Sequence, residues 1–268
     1  MSKETINHLR RVLEIFSHSE GEIRPHFILT GPSGSGKTHT IQALVDELEL
    51  GFLGINAAQL TKEGTAGNSL SKALAPLLYN GTQPTVVFAD EFDKLFISGN
   101  SNSALAHEVT HGVQNEFLKV LEGRSTSVYG DYGKYVDIPT SQLLFIFAGA
   151  FNNEENISLD RLRDFGIKTE FLGRVGLTFA LNKLTLTEME EILVSSPLLD
   201  RYLLLFPKVN RAVVIRDVMN VVRQSYEKNT IGVRMINTLI HRYFIHGGLT
   251  QKVARRTTFQ KTLTLTKD

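Results

Sequence analysis

The stretch His26 to Thr38, HFILTGPSGSGKT, restricts the possible folds of this chain more than any other. Phe27, Ile28 and Leu29 form a short apolar run of buried-strand type, and Thr30 leads into a glycine-rich turn. The turn fits the spacing G-x-x-x-x-G-K-[ST] with Gly31, Gly36, Lys37 and Thr38, and the helical pattern HTIQALVDELEL follows. Glycines let the backbone wrap a phosphate and aim its N–H groups inward, while the helix N-terminus adds partial positive charge. In such a loop Lys37 reaches the β- and γ-phosphates and the Thr38 hydroxyl joins Mg²⁺. The expected nucleotide contacts are therefore Gly31, Pro32, Ser33, Gly34, Ser35, Gly36, Lys37, Thr38 and His39. Glycine loops arise by chance, but a full match set between a strand and a helix points to nucleotide binding.

The 268 residues allow one large domain, or a large one with a small companion. A hydrophobic share of 42% and a charged share of 21% supply an ordinary core, and a net charge of +1 gives no pull toward nucleic acid or acidic membranes. The absence of cysteine excludes disulfides, thiolate zinc sites and cysteine nucleophiles. The N-terminus, MSKETINHLRRVLEIF, lacks the apolar centre of a signal peptide, and no stretch is long enough to span a bilayer. A cytoplasmic location is expected, without membrane contact.

Along the chain, Ile6, Leu9, Val12, Leu13 and Phe16 predict a helix ahead of the first strand. FLGINAAQL predicts a second strand and a turn, and Leu70, Leu74 and Leu77 a helix bent near Pro76. TVVFADEFD, Thr85 to Asp93, is the second chemical landmark. Val86 to Ala89 form a run of parallel-strand type, with two carboxylates at its C-terminal end. Ligands of open α/β sheets bind at that edge, so Asp90 is expected to hold Mg²⁺ through water and Glu91 to orient or deprotonate the attacking water. The alternative, an acidic turn of no chemical consequence, loses weight beside the phosphate loop.

Beyond the polar SGNSNS of Ser98 to Ser103, Val113, Phe117, Val120 and Leu121 mark a helix. SVYGDYGKYVDIP predicts a hairpin, and Leu143 to Phe147 another buried strand. NNEENISLDRLRD is charged and looks loose. After Asn182 the pattern becomes all-helical, opening on a capping-box-like Thr187-x-x-Glu190, with helices from about Arg211 to Tyr226 and from about Thr230. The expected architecture is an α/β nucleotide-binding domain over 1–182, its parallel sheet covered by helices, then a small helical lid over 183–247 and a basic tail over 248–268. The tail lacks the clustering and aromatic interleaving of a nucleic-acid contact.

In order, GPSGSGKT, FADEFDK, GVQ with LKVLEG, LLFIFAGAF, FGIKTEFLGRV and IGVRMINTLI resemble the motifs of the AAA+ superfamily, specifically its ClpX/HslU branch of ATP-dependent protein unfoldases. The resemblance runs from about Phe27 to Phe244. It implies a P-loop AAA+ module that hydrolyses ATP with Mg²⁺ and assembles into a hexameric ring. It also implies that Arg174, in FLGRV, is an arginine finger reaching the γ-phosphate of a neighbouring subunit, and that Arg234, in GVR, touches nucleotide from its own chain. Asn152 and Asn153 are both candidates for the first sensor. Where the family's pore loop carries an aromatic residue, this chain has Gly64-Thr65-Ala66-Gly67, and the second pore loop falls around His107 to His111. On this resemblance the family's zinc-binding domain and peptidase-docking insertion are expected to be absent, and part of the adenine pocket to be abridged. The expected function is ATP-driven remodelling of a protein partner without a peptidase. Two alternatives stand beside it, a switch or loader acting on nucleic acid or nucleoprotein, and a structural ATP-binding ring with decayed threading.

Overall fold

The computed structural model describes residues 3–62, 67–80, 83–96, 104–154, 157–229 and 231–249, with backbone alone at 3 and 104–110. Two compact units divide the chain, one built from Ser2–Pro32 and Gly36–Asn182, the other from Ser33–Ser35 and Lys183 onward.

The first unit opens on helix α1 (Lys3–His18), strand β1 (Phe27–Thr30) and helix α2 (Lys37–Glu47). Strand β2 (Gly51–Asn56), the short helix α3 (Leu70–Ala73), β3 (Thr85–Asp90) and the long helix α4 (Ala104–Glu122) follow. A hairpin of β4 (Ser125–Tyr129) and β5 (Tyr135–Pro139) leads to β6 (Leu143–Gly149), helices α5 (Leu159–Asp164) and α6 (Thr169–Arg174), and β7 (Leu177–Ala180). Five strands form one sheet in the order β2-β3-β6-β1-β7, each pair parallel. Parallel strands need crossovers, so the C-terminal ends of all five line up along one edge.

At its centre, in β1, β3 and β6, both faces of this sheet are dry. Ile28, Val87, Ala89, Phe145 and Phe147 belong to one buried cluster with Phe117 of α4 and Phe171 of α6. Their alternate neighbours Phe27, Leu29, Val86, Phe88, Leu144 and Ile146 point the other way by the pleat and are equally buried. That is why β1, β3 and β6 read as continuous apolar runs. The ring of Phe92 sits 4.7 Å from Phe147, 5.3 Å from Phe171 and 6.0 Å from Phe117, tying the turn after β3 to both helices.

Several sequence expectations change here. The 70–79 helix is two pieces: α3 stops at Ala73, and Ala75–Tyr79 is a 3₁₀ turn with Pro76 near its start, where a missing N–H does least harm. The charged 157–164 stretch is not loose. Ser158 caps α5 by accepting the Arg161 N–H at 3.1 Å, Leu162 is buried, and the Arg161 guanidinium grips Glu154 with two bonds of 2.8 and 2.6 Å. Residues His107 to His111, expected as a pore loop, lie inside the unbroken α4. Thr65 and Ala66, the polar stretch from Ser98 to Ser103, and the tail from 250 lie outside the described residues.

The second unit carries α7 (Leu186–Val194), α8 (Pro197–Leu205), α9 (Arg211–Ser225) and α10 (Arg234–His246) around its own core of Met189, Leu193, Leu199, Val218, Ile240 and Phe244. Its capping box is Thr185 with Glu188, two residues before the pair expected from the sequence. Both pairs fit the spacing. Only Thr185 puts a buried Leu184 before the cap and a buried Met189 on the fourth helical position, the two ends of a hydrophobic staple. The last helix begins at Arg234 rather than near Thr230.

Candidate active site

Three segments converge on the C-terminal edge of the sheet: the loop after β1, the carboxylates after β3, and the turn after β6. Strand β6 lies between β3 and β1, with Thr30 opposite Gly149 and Ala89 opposite Phe147.

The loop after β1 needs its glycines. Gly31, Gly34 and Gly36 have φ of 148°, 72° and 86°, values a side chain disfavours. Gly36 caps α2, whose first turn contains no acidic side chain of its own, so its partial positive charge is left to groups from outside the helix. Lys37 folds back over the loop and donates to the carbonyls of Gly31 at 2.7 Å and Pro32 at 3.1 Å. Ser35 is 2% exposed and its hydroxyl has no hydrogen-bond partner, an orphaned polar group in a turn of backbone donors. His39 sits exposed in the first turn of α2.

The carboxylates meet this loop. The Thr38 hydroxyl donates to Asp90 Oδ2 at 3.2 Å, and the other Asp90 oxygen accepts the Glu91 N–H at 2.8 Å. Two hard oxygen donors this close suit Mg²⁺, which takes few protein ligands and keeps its waters. Glu91 is exposed and left-handed, at φ 55°. Its Oε2 accepts from the Asn56 amide at 3.3 Å. Asn56 is a site residue the sequence reading missed. It stands opposite Asp90 in the β2–β3 register, and its Oδ1 accepts the Ala58 N–H at 3.0 Å, which turns its NH₂ toward Glu91.

Arg174 ends α6 and donates from Nε to Glu122 at 2.9 Å, with 57% of its side chain exposed. Arg234 is the exposed first residue of α10, in the second unit. Asn152 and Asn153 lie in the 3₁₀ turn after β6, both exposed and both left-handed.

Residues 27–171, more than half of the chain, match the model of the ATPase family associated with various cellular activities (AAA). Three curated relatives carry the name ATP-dependent Clp protease ATP-binding subunit ClpX. That of Treponema denticola is 28% identical over 72% of this chain and 57% of the relative. Those of Borrelia duttonii and Borrelia recurrentis are each 25% identical over 90% of this chain and 67% of the relative. The chain thus spans between about half and two thirds of the length of these relatives. The matched region holds the phosphate loop, both carboxylates and α5, and ends before Arg174. The chain belongs to the ATPase family associated with various cellular activities, and within it is ClpX-like.

Proposed function

We propose that the chain hydrolyses ATP at this edge and couples turnover to remodelling of a protein partner, working as a ring of copies, six by the family resemblance, without a peptidase. The observation that carries the chemistry is the 3.2 Å approach of Thr38 to Asp90 with Glu91 next in the chain. On this reading the backbone donors from Gly31 to Gly36 and the Lys37 ammonium hold the β- and γ-phosphates. Thr38 and Asp90 hold Mg²⁺, Asp90 through water. When bound, that ion neutralises charge on the phosphates. Glu91 orients the attacking water and accepts its proton, with Asn56 fixing the carboxylate between turnovers. Arg174 serves a neighbouring subunit's nucleotide, and Arg234 its own chain's.

The same reading assigns 1–182 to nucleotide binding, 183–247 to a lid and 248–268 to a tail. It places the protein in the cytoplasm, which a cysteine-free sequence suits. Support for protein remodelling comes from the ClpX relatives, whose name makes them ATP-binding subunits of a protease. The case against peptidase docking is that Phe151 to Phe165 is a short segment taken up largely by a turn and α5.

The test is Glu91→Gln. The amide keeps the shape but cannot take a proton, so phosphate release should fall by about 10²–10⁴-fold, while calorimetry shows ATP still bound. Undiminished release would place the base elsewhere. Stimulation of wild-type turnover by unfolded polypeptide, rather than by DNA or RNA, would favour a protein partner.

A further inference from the structure

Asp93 is the buried carboxylate that the proposed chemistry leaves unused. It is 1% exposed, and none of the ion pairs among the described residues includes it. A carboxylate buried without a cation costs free energy that an apolar side chain of similar size would avoid. What it holds explains its presence. Its Oδ2 accepts the Phe151 N–H at 3.1 Å across from β6. A Cβ added at Gly149 would meet the Phe151 ring at 2.7 Å and the Asp93 Oδ1 at 2.8 Å, so a side chain there would force one of them to shift.

The turn that Asp93 holds is strained. Phe151, Asn152 and Asn153 have φ of 44°, 56° and 60°, three successive side-chain-bearing residues in the left-handed region. The turn is closed by Asn153 N–H to the Ala150 carbonyl at 2.7 Å and Glu154 N–H to the Phe151 carbonyl at 3.1 Å. Phe151 is fully buried, edge-on to Phe165 at 5.6 Å. Glu91 is left-handed too and begins the 3₁₀ turn Phe92–Leu95 that contains Asp93. One carboxylate therefore bridges two strained turns, one bearing Glu91 and the other ending the strand between β1 and β3.

We propose that Asp93 is a positioning residue for hydrolysis, whose carboxylate fixes the turn after β6 against the turn that carries Glu91. The proposal rests on the ATPase reading above. Asp93 acts through the spacing of these turns and not by touching nucleotide, so its loss slows turnover while leaving binding intact.

The test compares Asp93→Ala, Asp93→Asn and Gly149→Ala with wild type in ATPase rate, nucleotide affinity by calorimetry, and amide exchange at 150–154. Misplacement of about 1 Å can cost on the order of 10²-fold in rate. Asp93→Ala should therefore lower kcat by about that factor, with KM and Kd nearly unchanged and Phe151 exchange faster. Asp93→Asn keeps an acceptor oxygen and should recover most of the rate. Gly149→Ala, which crowds the Phe151 ring and the Asp93 carboxylate together, should disturb the same contact, lowering kcat and speeding Phe151 exchange with binding kept, and it carries the test if Asp93→Ala does not fold. Wild-type kcat and wild-type Phe151 exchange in Asp93→Ala would overturn the proposal. So would an Asp93→Asn variant as slow as Asp93→Ala, or a loss of binding in step with the loss of rate. A wild-type protein that hydrolyses no ATP would instead overturn the reading beneath it, while amide exchange still reports whether Asp93 holds the turn.

Discussion

His26 shows how one side chain outside the site ties stability to pH. It is 8% exposed, and its Nδ1 accepts the Phe145 N–H at 3.0 Å, joining the lead-in to β1 to the centre of β6. Burial, with the Arg24 charge adding to it, pushes the ring's pKa down to about 4. Protonation at Nδ1 would also remove the acceptor. The unfolded chain takes up the same proton near pH 6.5, so between 6.5 and 4 it binds more protons than the folded one. The His26 share of stability is whole above pH 6.5, falls as pH drops through that window, and is gone below about 4. Its size is about 3 kcal/mol. NMR should show the ring titrating near pH 4, and denaturant unfolding should lose more stability from pH 7 to 4 in wild type than in His26→Leu. Equal losses would remove His26 from the account.

At the scale of elements, Gln114 joins α4 to the segment before α6. It is fully buried, donating to the Gly166 carbonyl at 3.1 Å and accepting the Lys168 N–H at 3.0 Å. Gln114→Met keeps the volume but strands both backbone groups, and should cost about 1–3 kcal/mol in unfolding experiments. A cost near zero would mean that water replaces both bonds. The elements that were legible in the sequence are those whose burial leaves a pattern. β1, β3 and β6 are dry on both faces and read as apolar runs, and the loop between β1 and α2 is written in glycines. Strand β7 was not legible, because none of its four residues is buried and no alternation marks LTFA. Helix α5 is only six residues long, too short for a period to register. Asn56 escaped for a different reason: its role depends on the β2–β3 register, which sequence spacing does not carry.

At the scale of the whole molecule, the proposed role of Arg174 would make each reaction site the work of two chains. Arg174 is exposed and held by Glu122, a pair of the surface type worth about 0–1 kcal/mol, so a neighbour's phosphate can compete for it at small cost. Arginine fingers in other NTPases are worth about 10³–10⁵ in rate. Arg174→Ala should therefore bind ATP and fail to hydrolyse it, as Glu91→Gln should, but for a different reason. The first variant keeps its own base and spoils its neighbour's site, whereas the second spoils its own site and keeps a finger to offer. Wherever an Arg174→Ala subunit's nucleotide faces a Glu91→Gln subunit's finger, a mixed ring contains an intact composite site. Mixing two inactive proteins should then restore turnover, with a maximum near equal proportions because alternation maximises such junctions. If subunits shown to co-assemble recover nothing at any ratio, Arg174 does not act across the boundary, and its contact with Glu122 is a surface ion pair within one chain.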